Sequence, residues 1–169
     1  MNENTDFVQR LCRSNVFTEF KEAFCTGLDL PLMLRPLEFW QLAQSGEPHE
    51  DPLYAVITKT NRGCAQYLET EQRAVDGAIE EPATVTCFAG LCHTAVPLKI
   101  GSNTIGFLVT GHVAMETPSH LGFESIVCHL ADWGVETNLK KLEDAYYQRT
   151  VLPPGEYAGI VGLLEISGR

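Results

Sequence analysis

The sequence is short of positive charge: 12 lysines and arginines face 22 aspartates and glutamates, for a net charge of −10 at pH 7. A surface of that sign repels phosphate, so the chain by itself is not expected to bind DNA. No apolar run approaches the ~18 residues that a membrane span needs. The opening Met1-Asn2-Glu3-Asn4-Thr5-Asp6 has neither the basic nor the apolar region of a signal peptide. These absences predict a cytoplasmic protein with no membrane partner. Internal repeats and low-complexity segments are missing too, and no Cys-x2-Cys pair of the kind that structural zinc sites use is present.

What is there fits one soluble domain, 1–169. With 44% apolar and 20% charged residues, the chain is long enough to bury a core without disulfide or metal staples. Most of the six cysteines (Cys12, Cys25, Cys64, Cys87, Cys92 and Cys128) are read first as buried thiols, because a reducing compartment keeps them out of disulfides.

Spacing along the chain predicts an α+β fold. Phe17, Phe20 and Phe24 describe an amphipathic helix from Asn15 to Gly27, with Asn15 as N-cap, followed by a short strand over Leu28 to Leu34. The turn chemistry between Leu42 and Pro52 reads as a surface loop. Cys64, Tyr67, Leu68, Val75, Ala78 and Ile79 then recur at helical spacing over 61–80. Three strands follow, Ala83 to Phe88, Cys92 to Ile100 and Thr104 to Thr110, as an antiparallel meander. Period two sends Cys87 and Phe88 to opposite faces, and Pro97 predicts an irregular stretch in the second strand. Helices are expected over about 118–133 with Pro118 at its first position, over 136–148 with Leu139, Leu142 and Tyr146 inward, and after Pro154 with Tyr157, Ile160, Val161, Leu163, Leu164 and Ile166. The last is apolar over more than one stripe, so a partner subunit or a further domain is expected to cover part of it. Five helices around a small sheet result.

Four constellations could carry chemistry. Cys87-x4-Cys92-His93 with Cys64 or His112 offers thiolate and imidazole ligands to a soft metal; the plainer alternative is ordinary buried cysteine. Cys87 or Cys64 activated by His93 or His112 would be a nucleophile, but no sequence signature supports the pairing, so no enzyme is expected. The two helices around Gly134 imitate a helix-turn-helix, yet Lys140, Lys141 and Arg149 are cancelled by Glu136, Glu143 and Asp144, while Glu124 and Asp132 stand in the first helix without a basic residue. A packed helical hairpin fits better than a recognition helix. The fourth is a small-molecule cavity between sheet and helices, lined by aromatics such as Phe24, Trp40, Tyr54, Tyr67 and Phe88.

Several segments resemble a known family. They are Asn61-Arg62-Gly63-Cys64-Ala65-Gln66-Tyr67-Leu68, then Glu81-Pro82-Ala83-Thr84-Val85-Thr86-Cys87-Phe88-Ala89-Gly90-Leu91, Ala95-Val96-Pro97-Leu98, and Ile105-Gly106-Phe107-Leu108-Val109-Thr110-Gly111-His112-Val113. In order and spacing they look like the PocR sensory domain, which is found fused to AraC-type DNA-binding modules. Residues 15–34 are similar to that domain's opening helix and strand. The most specific parts are Cys87-x2-Gly90-Leu91 and Gly106-x4-Gly111-x-Val113. The chain departs from the family pattern where Gln66-Tyr67 replaces a further cysteine, and where His112 replaces a glutamine.

The resemblance implies a PAS/GAF-like core over 15–116, with 117–169 as a helical extension leading to an output module or dimer interface. It implies a homodimer that binds a small organic ligand, needs no cofactor, and reaches DNA only through a separate helix-turn-helix domain. The ligand site is expected to include Phe24, Trp40, Tyr54, Cys64, Tyr67, Cys87, Phe88, Leu91, Phe107 and His112. A metal- or redox-responsive switch using Cys64 and Cys87, with Cys92 as a further metal ligand, is the alternative.

Overall fold

The computed structural model describes residues 3–37 and 51–169. Their elements are α1 (Glu3–Cys12), α2 (Asn15–Leu28), β1 (Leu32–Pro36), α3 (Pro52–Ile57), α4 (Asn61–Gly77), β2 (Ala83–Thr86), β3 (Cys92–Ile100), β4 (Asn103–Val113), α5 (His120–Asp132), α6 (Leu139–Tyr147) and α7 (Pro154–Ser167). The strands form one antiparallel sheet in the order β1-β4-β3-β2. The expected α+β architecture and meander are present. Seven helices stand among the described residues where five were expected; the two additional ones, α1 and α3, are short, with 10 and 6 residues.

Caps explain most of the shifted boundaries. The Ser14 hydroxyl accepts from the Phe17 amide, so Ser14 rather than Asn15 caps α2, and the helix runs through Gly27 to a left-handed Asp29 (φ 54°). The Ser119 hydroxyl accepts from the Gly122 amide and starts α5 two residues beyond Pro118. Asn138 caps α6, leaving Leu139 on the surface instead of inward. A serine or asparagine oxygen satisfies an orphaned helix N–H, which a proline's fixed φ alone does not do. In α4 the buried face is Tyr67, Thr70, Glu71, Ala74 and Val75, whereas Ile79 lies past the helix end and is 65% exposed. Leu163 and Ile166 of α7 are likewise exposed, at 59% and 70%.

The sheet separates two cores. Period two sends Leu32 and Leu34 of β1, Val96 of β3 and Leu108 of β4 to one face, where α1, α2 and α7 bury them with Val8, Phe17, Phe24, Tyr157, Ile160 and Leu164. On the other face Met33, Ala95, Phe107 and Val109 pack against Ala74, Val75 and Ala78 at the C-terminal end of α4. A third cluster joins α3, the start of α4, the β2–β3 connection, α5 and α6 through Leu53, Tyr54, Tyr67, Leu91, Ile126, Leu130, Leu142 and Tyr146. This cluster makes α5 and α6 a packed helical pair.

Pro97 sits where a proline does least harm. β2 begins at the Ala83–Ala95 pair, so from Val96 onward β3 has no strand on that side among the described residues, and its pairing with β4 slips between Leu98 and Lys99. Farther along the sheet, the Thr84 and Thr94 hydroxyls are 2.7 Å apart, and Thr94 is 2.7 Å from the Tyr157 hydroxyl. That chain ties α7 to the sheet through two residues that are fully buried. Tyr157→Phe removes one buried hydrogen bond without opening a cavity, and it is expected to lower the stability measured by urea unfolding by about 1 kcal/mol.

Candidate functional site

The site begins with a backbone irregularity. Cys92 of β3 pairs with Val113 of β4, but His93 pairs with Gly111, so His112 is one residue too many: a β-bulge. Gly111 has φ 140°, and a Cβ there would collide with the Cys92 carbonyl; His112 is left-handed at φ 60°. A non-glycine residue in that region is strained, and such strain persists where the surroundings impose it. Here they do so by stacking.

The His112 ring lies 4.0 Å from that of Tyr54 at an interplanar angle of 14°. Tyr67 meets Tyr54 edge-on at 4.6 Å, and it is 5.3 Å from His93, whose ring is 5.0 Å from His112. Two tyrosines from α3 and α4 thus enclose two histidines from β3 and β4, all four buried. Asp51 caps α3 and so fixes Tyr54: one carboxylate oxygen accepts from the Leu53 and Tyr54 amides, the other from the Thr150 amide at 2.7 Å. Gly63 lets α4 start this close to α3, because a Cβ there would meet Ile57 and Thr60.

Beside the rings runs a narrow cavity of about 20 Å³, walled by Tyr54, Ile57, Thr58, Gly63, Gln66, Tyr67, Cys87, Phe88, Ala89, Leu91 and His93. That is room for about one water molecule. None of the walls carries a formal charge with both imidazoles neutral, and burial keeps them neutral. Desolvation lowers His93 to about 4 and His112 well below its ordinary value, with His93 adding to the effect on His112. Burial likewise pushes the Cys87 thiol up. Tyr67 is raised by burial first and by the neighbouring Glu71 carboxylate second. Glu71 itself holds Arg35 of β1 at 3.1 Å, one helical turn beyond Tyr67.

Both histidines keep an unmet demand. His93 Nδ1 and His112 Nδ1 are buried without a hydrogen-bond partner among the described residues. Native proteins pair nearly all such atoms, and each orphan costs about 1–3 kcal/mol.

The expected site residues divide accordingly. Tyr54, Tyr67, Cys87, Phe88 and Leu91 line the cavity, and His112 stacks behind it. Cys87 and Phe88 do not point to opposite faces of a strand: β2 ends at Thr86, and the Cys87 amide donates to the Leu91 carbonyl across a turn, so both reach the cavity. Cys64 is half-buried on α4 and is not among the walls. Phe24 belongs to the core across the sheet and Phe107 to the one under the end of α4. Trp40 lies outside the described residues. No disulfide joins the six cysteines: Cys25 and Cys92 are buried, the latter with its sulfur 3.5 Å from the Thr86 hydroxyl, whereas Cys12 and Cys128 are exposed, and no group of three or more metal-ligating side chains occurs among the described residues. The rise of Cys87 and the fall of His93 are the reverse of what an activated thiolate–imidazolium pair requires.

The family follows from comparison. A family model described as the sensory domain found in PocR matches residues 53–167, most of the chain. The chain belongs to the PocR sensory-domain family. No curated protein and no solved structure matches it. The PocR match begins at the helix that carries Tyr54 and spans every residue of the ring cluster. A sensing, regulatory role comes with the family. No helix among the described residues is long and apolar enough to cross a membrane.

His93, weighed from the sequence only as a metal ligand or an activating base, and Asp51 were not among the expected ligand-site residues. His93 had a readable signal: by period two it shares a face with Ala95 and Pro97. Asp51 was hidden in a segment read as loop.

The buried histidines give stability a sign with pH. Their folded-state pKa values lie below the unfolded value of 6.5, so the unfolded chain binds more protons between pH 6.5 and about 4, and stability falls as pH drops through that window. His93 alone should account for about 3 kcal/mol by pH 4. Asp51, raised by burial, acts in the opposite direction at the acid end. Urea midpoints measured from pH 7 to 4 should fall steeply in the native chain and less steeply in His93→Asn. Gly111→Ala should cost 1–3 kcal/mol or more at any pH, because it opposes the bulge itself.

Proposed function

We propose that the chain is the sensor of a transcription regulator and binds a small, uncharged organic compound at the Tyr54–Tyr67–His93–His112 cluster. The observation that carries the proposal is the pair of buried imidazoles with unpartnered Nδ1 atoms beside a cavity lined by rings. A ligand hydroxyl, carbonyl or amide gives His93 Nδ1 the partner it lacks, and reaches His112 behind the wall once the cavity widens, while its apolar body packs against Phe88, Leu91 and Ile57. Charged ligands find no counter-ion among the cavity walls, so carboxylates and phosphates are disfavoured.

The mechanism follows from the cavity's size. A space of about 20 Å³ cannot take a compound of several heavy atoms, so binding requires α3 or the 87–91 turn to move. A ligand that binds only the opened arrangement shifts the population towards it, by no more than its differential affinity. No bond is made or broken, so the function needs neither catalysis nor a cofactor. In this reading the core over 15–116 is PAS/GAF-like, the helical segment 117–169 carries the signal through α7, and Leu163 and Ile166 on α7 meet a second copy in a cytoplasmic homodimer. The acidic charge fits a chain that reaches DNA only through a separate domain, of AraC type.

Native mass spectrometry of the purified chain, followed by a thermal-shift screen pairing uncharged compounds with their charged analogues, tests the proposal. A dimer with an uncharged organic adduct is expected, with stabilisation of about 2.7 kcal/mol at ~100 Kd, lost in His93→Ala. Stabilisation by charged analogues alone would overturn the ligand class. An adduct mass of zinc or iron, or the loss of two hydrogens, would replace it with a cysteine switch at Cys64 and Cys87.

A further inference from the structure

The segment between α6 and α7 is bound to the site from three directions. The Thr150 amide donates to the Asp51 carboxylate, which also caps the helix carrying Tyr54. The Arg149 guanidinium donates to the Ala89 carbonyl at 3.3 Å, in the turn that supplies Cys87, Phe88 and Leu91 to the cavity, and to the Glu116 carbonyl at 3.3 Å. Two residues beyond His112, the Ala114 amide donates to the Thr150 carbonyl, and its own carbonyl accepts from the Leu152 amide, a parallel bridge centred on Val151. Pro153 and Pro154 then lead directly into α7.

These bonds join the cavity's movable parts to one short strip of backbone. Asp51 is 1% exposed and Arg149 half-buried; the guanidinium lies over the Tyr146 ring at 4.4 Å, and its Nε is buried without a partner among the described residues. Ordinary linkers run over the surface and make their hydrogen bonds to water. A buried carboxylate spent on a linker amide, and an arginine spent on two loop carbonyls, are expensive ways to hold a connection, and each ends on an element that walls the site.

We infer that Arg149-Thr150-Val151-Leu152 is the output relay of the sensor: Asp51 and Arg149 are positioning residues that convert movement of α3 and of the 87–91 turn into release or capture of the α7 start. The inference rests on the proposed location of the site, but not on any particular ligand. When an occupant widens the cavity, α3 and the turn separate, and the Asp51–Thr150 and Ala89–Arg149 bonds cannot both persist. The strip loses one anchor, and α7 loses its fixed start while its far end stays pinned by the Lys99 amide to the Gly168 carbonyl.

A side chain can stand in for the occupant. Cys87→Phe places bulk in the cavity, with Cys87→Met as the milder form should the first fail to fold. The readout is hydrogen exchange at the amides of Thr150, Leu152 and Tyr157 in the full chain, with and without Asp51→Asn and Arg149→Met. Asparagine keeps an oxygen to cap α3 while weakening the hold on Thr150. Filling the cavity should speed exchange at these amides about tenfold in the native background and add little once both anchors are changed, which is the non-additivity expected of coupled groups. The relay is overturned if exchange at these three amides stays unchanged while that of Gly90 rises, or if it rises equally in both backgrounds. Neither result bears on whether a ligand binds, which the thermal-shift screen decides separately.

Discussion

At the crossing of β3 and β4 the strands approach so closely that no Cβ fits at Gly111, and the rest of the site depends on that contact. The glycine's positive φ inserts His112 as an extra residue. The bulge turns its ring onto Tyr54, and the stack in turn holds α3 against the sheet. Without the bulge, alternation would carry His112 away from His93, and the two imidazoles would not share a pocket. Strain at His112, two unpartnered nitrogens and a cavity little larger than a water molecule are consequences of one backbone arrangement.

The arrangement separates two electrostatic worlds. The chain as a whole carries a charge of −10, yet the cavity walls carry none. Of the buried charges around it, Arg35 and Glu71 neutralise each other across β1 and α4, and the Asp51 carboxylate is taken up by the Leu53, Tyr54 and Thr150 amides. An interior of this kind selects by shape and by hydrogen bonding, because it has nothing to offer a charge and too little space to bring water along. It also makes recognition inseparable from movement. A site that must open to be filled couples occupancy to the elements around it, and those elements are held by the same residues that hold the start of α7.

Much of this was legible in the sequence. The meander, α4 and the apolar helices follow from period two and from three- and four-residue spacing, and Tyr54, Tyr67, Cys87, Phe88 and Leu91, read together as a lining, do meet around one cavity. Boundaries were less legible, since Ser14, Ser119 and Asn138 decide them through single hydrogen bonds that compete with nearby prolines. Faces failed where regularity failed: alternation placed Cys87 and Phe88 apart because it does not know that β2 stops at Thr86. Cys64, on the family's motif, is not among the cavity walls, and Phe24 and Phe107 serve other cores, since an aromatic residue's spacing does not say which side of a sheet its element packs on. The roles of Asp51 and Arg149 come from pairings with residues 99 and 60 positions away, respectively, which no local pattern encodes.

The protonation of the two imidazoles is the most direct test of the account. Nitrogen-15 shifts of His93 and His112, followed from pH 7.5 to 5 in the intact chain, should stay those of neutral rings throughout, with each ring locked in one tautomer. Titration of either ring near the ordinary value of 6.5 would mean that bulk solvent or a counter-charge reaches it, and would contradict a closed, uncharged pocket as the basis of sensing.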